Sequence, residues 1–205
     1  MVGDRGDATA SRPDVSASAT PARSRRFGTN AVATPANFVT CARIVLAIPT
    51  LVLIADRGAT WLTVGLWFLL TSTDGIDGWL ARRDGTTRSG AFLDPLADKI
   101  LILGGFIALV VRGDVWWVPV ALMAAREAFV SVYRSLAARR GISLPARQWG
   151  KWKAFIQMLA VGIVLFPPTA EAHALQVFAV WTAVALTIVS ALDIVRSGWV
   201  EARAD

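Results

Sequence analysis

An all-α membrane protein with six transmembrane helices is the fold this sequence predicts, on three observations. The apolar residues are gathered into six long runs, the basic residues favour alternate connections between them, and many of the tryptophans stand at run ends. Of the 205 residues 55% are hydrophobic, and the mean hydropathy is +0.51. A soluble domain of this length carries shorter apolar runs and more charge. The runs lie at about 38–56, 60–82, 90–111, 115–138, 150–167 and 174–195. Each has the roughly 17 to 24 residues with which a helix crosses a bilayer. No set of segments alternates with period two, which argues against a transmembrane barrel.

The elements follow in order. Residues 1–30 are rich in Ala, Ser, Arg, Asp and Pro and almost free of large apolar side chains, so they cannot bury a core and are expected to form a disordered cytoplasmic tail. They lack the central apolar stretch of a secretory signal. Residues 31–205 are expected to form one helical domain. Its first run holds the chain's single cysteine, Cys41, which cannot form an internal disulfide. Short connections, Asp56-Arg57-Gly58 and Arg112-Gly113-Asp114, close the first and third runs, and Pro167-Pro168 stops the fifth. No paired broken helices suggest a transporter built of inverted halves.

The net charge of +6 follows this topology. With a cytoplasmic amino terminus, Arg23, Arg25, Arg26, Arg82, Arg83, Arg88, Arg139, Arg140, Arg147, Lys151, Lys153, Arg196 and Arg203 all fall on the cytoplasmic side. The opposite connections carry Arg57 and Arg112, beside Asp56 and Asp114 respectively. That asymmetry is the positive-inside pattern of a multi-pass protein of the cell membrane. It is not the clustered basic face of a nucleic-acid binder, and no nucleic-acid partner is expected. Trp116, Trp117, Trp149, Trp152 and Trp199 fit interfacial anchors.

The chemistry is concentrated between Thr71 and Lys99. Asp74 and Asp77 stand three positions apart at the end of the second run, and Asp94 and Asp98 four apart at the start of the third. Each spacing puts a pair on one helix face, and both pairs flank a short turn at Gly85. Four converging carboxylates repel one another unless a cation neutralises them. Hard divalent ions do this with oxygen ligands, and Mg²⁺ favours carboxylates combined with phosphate oxygens. The stretch has no His or Cys cluster, which argues against zinc. Arg82 and Lys99 offer a purely structural alternative by pairing with some of the acids, but four aspartates exceed what two cations need. Gly75, Gly78, Ala81 and Gly90 leave room for a substrate or a neighbouring helix. Metals, a diphosphate and a small-residue pocket together suggest phosphoryl-type transfer.

These residues resemble the CDP-alcohol phosphatidyltransferase family, whose pattern is Asp-x2-Asp-Gly-x2-Ala-Arg, about eight residues, then Gly-x3-Asp-x3-Asp. The chain matches every fixed position with Asp74, Asp77, Gly78, Ala81, Arg82, Gly90, Asp94 and Asp98, across a connection of seven residues. The resemblance implies a bundle of the family's type and two Mg²⁺ or Mn²⁺ ions held by Asp74, Asp77 and Asp94 with Asp98 close by. It implies Asp98 as the base that deprotonates the acceptor hydroxyl, CDP-diacylglycerol as donor, and a homodimer. Gly78, Ala81 and Arg82 would border the CDP moiety.

The acceptor reading rests on the flanking helices. Asn37-x2-Thr40-x2-Arg43 is similar to the opening of the family's glycerol-phosphate-using members, and Asn37 and Thr40 are assigned by it to the CDP-diacylglycerol site. Arg43 either lines a cavity or snorkels to the interface. Arg126, Arg134, Lys151 and Lys153 resemble in order and spacing a cationic pocket for an acceptor phosphate. For Arg126 the competing reading is an ion pair with one of the aspartates, since Glu127 is its neighbour in sequence and not opposite it. For the lysines it is positive-inside flanking. The last helix offers nothing specific. The expected reaction is transfer of the phosphatidyl group from CDP-diacylglycerol to sn-glycerol 3-phosphate, giving phosphatidylglycerol phosphate and CMP. A relative using phosphatidylglycerol, as a cardiolipin synthase does, or inositol phosphate would keep the mechanism. A transporter would spread its charges through several helices, whereas here they gather near one face.

Overall fold

The computed structural model describes residues 35–84, 88–139 and 148–201, the side chains of 35–36, 74–84, 88–92, 94, 148–151 and 199–201 excepted. The expected tail, 1–30, lies outside the described residues. Six helices follow in order: α1 Pro35–Arg57, α2 Trp61–Asp84, α3 Arg88–Arg112, α4 Trp117–Arg139, α5 Gln148–Leu165 and α6 His173–Glu201. Among the described residues there is no strand. Each helix coincides with one expected run to within about three residues at either end, except at the end of α6. α6 continues past the run's end at 195, because backbone hydrogen bonding carries a helix beyond the point where its apolar pattern stops.

The helix ends are set by local chemistry. Gly58, at φ +62°, follows α1 and donates its N–H to Ile54 O at 2.9 Å. Gly113, at φ +91°, follows α3 and donates to Leu109 O at 3.1 Å. Both are the left-handed residue that closes a helix, a conformation glycine adopts without a Cβ clash. α2 opens with a capping box made of two threonines. Thr63 N–H donates to Thr60 Oγ1 at 3.1 Å, and Thr60 N–H donates to Thr63 Oγ1 at 3.0 Å. α5 stops before the 3₁₀ turn Pro167–Thr169, since proline lacks the N–H that would continue it.

Helix α1 packs on α3 and α2, α5 on α6 and α2, and α4 on α6 and α3. One apolar cluster runs through all six, including Ile54, Trp67, Phe106, Met123, Val161 and Ala183. Trp67 has its indole fixed by a hydrogen bond to Met158 O at 3.0 Å, which joins α2 to α5. At the end of the bundle holding Gly58 and Gly113, Arg112 donates to Asp56 O at 2.8 Å and pairs with Asp114 at 3.1 Å.

The outside of the bundle is apolar as well. Val52, Leu69, Val111, Phe129, Phe178 and Leu192 are all exposed, from five different helices. In water such a surface would drive association, and in lipid it is the expected coat. Asn37–Arg57 and His173–Gly198 are each long and apolar enough to cross a membrane, and Trp61–Thr73 and Trp152–Leu165 are shorter apolar stretches. α3 and α4 carry charge in mid-helix, at Asp98–Lys99 and Arg126–Glu127. The bundle is an all-α membrane protein.

Candidate active site

Asp98 lies ten positions into α3, after Pro95, whose missing N–H leaves the preceding turn without one ladder bond. The Asp98 side chain is half-buried and lines a cavity of about 180 Å³ between α3, α4 and α5. Asp98, Lys99, Glu127 and Lys153 supply the charged part of the wall, while Ile102, Phe106 and Met123 supply the apolar part. Along α3 the wall extends from Pro95 to Phe106, a rise of about 16 Å at helical pitch.

The charges are arranged as linked pairs. The Glu127 carboxylate accepts from Arg126 Nη1 at 2.9 Å, and the same oxygen accepts from Lys153 Nζ across the α4–α5 boundary. Arg126 is turned toward α6, where Nε donates to Thr187 O and Nη2 to Ser190 Oγ, both at 2.9 Å. Lys99 donates to Ser131 Oγ at 2.7 Å, and Ser131 donates to Glu127 O at 2.7 Å. Gln157 donates to Thr187 Oγ1 at 3.0 Å and lies against Met123 Sδ. Lys153 thus sits among the opposite charges of Glu127 and Asp98 and the like charge of Arg126.

Of the residues singled out in the sequence, the structure brings Asp98 and Lys153 to one cavity. Arg126 is not part of the cavity wall. Among the described residues it pairs with its sequence neighbour Glu127, because a long guanidinium side chain can fold back along its own helix. Arg134, two turns further along α4, is exposed. Asn37, Thr40 and Arg43 are buried together, three positions apart, along one face of α1. With 2% of its surface exposed, Arg43 does not snorkel. The side chains of Asp74, Asp77, Gly78, Ala81, Arg82, Asp94 and Lys151 lie outside the described residues. No group of three metal-ligating side chains forms among the described residues. The Asp98 carboxylate faces the cavity, and among the described residues the wall holds no His or Cys. That chemistry fits a hard divalent cation and not zinc.

Glu127 was not foreseen as part of the site, nor were Gln157, Thr187 and Ser190. The last helix, which seemed featureless, provides the anchor for Arg126. A signal was present: Thr187 and Ser190 stand three apart in an otherwise apolar helix, and both are buried.

Residues 33–189 match the sequence profile of the CDP-alcohol phosphatidyltransferases. The chain is 36% identical over 192 residues, 90% of each chain, to a protein of Mycobacterium tuberculosis (strain H37Rv) named "Probable phosphatidylglycerophosphate synthase". It is 37% identical over 169 residues, 78% of this chain and 91% of the relative, to a protein of Escherichia coli (strain K12). The identity is 33% over 164 residues, 76% of this chain and 88% of the relative, to one of Haemophilus influenzae. Both of these carry the name CDP-diacylglycerol--glycerol-3-phosphate 3-phosphatidyltransferase. The chain belongs to the CDP-alcohol phosphatidyltransferase family and is a membrane-embedded transferase.

Proposed function

We propose that this enzyme transfers the phosphatidyl group of CDP-diacylglycerol to sn-glycerol 3-phosphate, releasing CMP and forming phosphatidylglycerol phosphate. The observation that carries the reading is that Asp98 and Lys153, from different helices, line one cavity. A base and a cation facing one space suit an acceptor with a hydroxyl at one end and a phosphate at the other. The relatives' printed names support the same acceptor.

Asp74, Asp77, Asp94 and Asp98 would hold two Mg²⁺ or Mn²⁺ ions, which supply charge neutralisation at the donor's diphosphate. Asp98 takes the proton from the acceptor hydroxyl. The hydroxyl oxygen forms a bond to the β-phosphorus, the bond from that phosphorus to the CMP oxygen breaks, and CMP leaves with the electron pair. Gly78, Ala81 and Arg82 border the CDP moiety, with Asn37 and Thr40 on the donor's side. Of the cations assigned to the acceptor phosphate, Lys153 makes the contact from the cavity wall, Arg126 stands behind it, and Arg134 and Lys151 raise the local positive potential. Residues 31–205 are the catalytic domain. The positive-inside pattern supports an active site and an amino-terminal tail on the cytoplasmic side of the cell membrane, and the family resemblance supports a homodimer.

The test is CMP release by purified protein with CDP-diacylglycerol and Mg²⁺, comparing glycerol 3-phosphate, inositol phosphate and phosphatidylglycerol. Release driven by glycerol 3-phosphate alone is expected. Release driven by another acceptor would keep the metal chemistry and overturn the acceptor assignment.

A further inference from the structure

A line of polar contacts crosses from α6 to the cavity. It starts at Thr187 O and Ser190 Oγ, passes through the Arg126 guanidinium to the Glu127 carboxylate, and ends at the Lys153 ammonium. Its side chains are well shielded, with 9% of Arg126, 20% of Glu127 and 13% of Lys153 exposed. Two cations share one carboxylate oxygen, yet only Glu127 and Lys153 reach the cavity wall. Arg126 is held on three sides, and the Glu127 carboxylate is held by Arg126. A lysine ammonium on its flexible stem has no preferred position of its own. Its position here is set by Glu127.

We propose that Glu127 is a positioning residue that fixes the Lys153 ammonium at the cavity wall for the acceptor's phosphate. Arg126 and α6 act behind it as its fixed support. This rests on the acceptor reading above. An ammonium has three N–H donors. One goes to Glu127, and two remain for phosphate oxygens. Glu127 also sets an opposite charge between Lys153 and Arg126, which offsets their mutual repulsion. Glutamine at 127 keeps the size of the side chain and loses the charge that holds both cations. The ligand class is a small organic phosphate.

The experiment uses the full chain in detergent micelles, with the variants Glu127→Gln, Lys153→Met, the double variant and Ser190→Ala. Glu127→Gln is expected to raise KM for glycerol 3-phosphate about tenfold or more while KM for CDP-diacylglycerol changes less than about twofold. The double variant is expected to match Lys153→Met within about twofold, because a residue acting through Lys153 has nothing left to act on. Ser190→Ala, which spares the carboxylate, is expected to raise the same KM by about two- to fivefold. Independently of any acceptor, labelling of Lys153 by an amine-reactive reagent in the substrate-free protein should rise in Glu127→Gln. Equal changes in both KM values, effects that multiply in full in the double variant, or unchanged labelling would each overturn the proposal. If the wild-type protein turns over another acceptor instead, the acceptor reading has failed, and the labelling result alone decides the role of Glu127.

Discussion

Two glycines in adjacent helices should respond in opposite senses to the same substitution. A Cβ added at Gly105 on α3 would stand 2.7 Å from two ring carbons of Trp67 and 3.4 Å from Val161 Cγ1. Carbon atoms are comfortable at about 3.5–4.0 Å, so the overlap with the ring is close to an ångström. The ring has nowhere to go: Trp67 is fully buried, and its indole N–H is fixed to Met158 O at 3.0 Å. Overpacking of this kind costs about 1–3 kcal/mol, and stretching the indole bond adds up to about 0.5–1.5 kcal/mol. Replacing glycine in a helix returns about 0.5–1 kcal/mol. Gly105→Ala is therefore expected to destabilise the protein by a net of about 0.5–4 kcal/mol. At Gly65 on α2 no atom lies within 4 Å of the added Cβ, so Gly65→Ala keeps the helix gain of about 0.5–1 kcal/mol alone. Gly104→Ala falls between them, since the Cβ would meet a methyl end of the flexible Leu51. Thermal unfolding in one detergent, read by far-UV dichroism, ranks the three, at about 2–4 °C per kcal/mol for a chain of this size. If Gly105→Ala unfolds at or above the wild-type temperature, the close approach of α3 to Trp67 is wrong.

Asp98→Asn should abolish turnover while CDP-diacylglycerol binding stays measurable by a lipid-binding assay; near-normal turnover would remove Asp98 as the base. Arg126→Ala should raise the KM for glycerol 3-phosphate about tenfold or more with a much smaller change for the lipid donor, and equal effects would reduce it to a purely structural clamp. Gly58→Ala forces a side chain into φ +62° and places its Cβ against the Arg112 guanidinium. The left-handed backbone costs about 1–2 kcal/mol, so melting should shift downward while turnover per folded molecule is unchanged. Removing divalent ions with EDTA should stop CMP release, and adding back Mg²⁺ or Mn²⁺ should restore it; activity that persists in EDTA would sink the four-aspartate metal site.

The helices were legible in the sequence because lipid and core impose the same apolar requirement along each run. Their ends were legible where a single residue decides them, as at Gly58, Gly113 and Pro167-Pro168. Asp98 stood out in the sequence as one of four clustered aspartates, and Lys153 as one of four cations whose order and spacing resemble the family's acceptor pocket. Their meeting at one cavity, and the use of Glu127 to hold Lys153, depend on how α3, α4 and α5 are rotated against one another. No periodicity within one helix encodes that rotation. Arg126 shows the limit most clearly. Its place in a series with Arg134, Lys151 and Lys153 suggested a side chain turned toward a ligand, but its guanidinium reaches Thr187 and Ser190 on α6, more than sixty positions away. Arg43 was left between interface and interior by sequence, and the packing of α1 buries it.

The most direct measurement is incorporation of labelled glycerol 3-phosphate into extractable lipid by the purified protein, with CDP-diacylglycerol and Mg²⁺ present. The label should appear in phosphatidylglycerol phosphate, one CMP released for each molecule formed, and vanish with Asp98→Asn. Folded protein that releases no CMP and forms no labelled lipid would contradict the account.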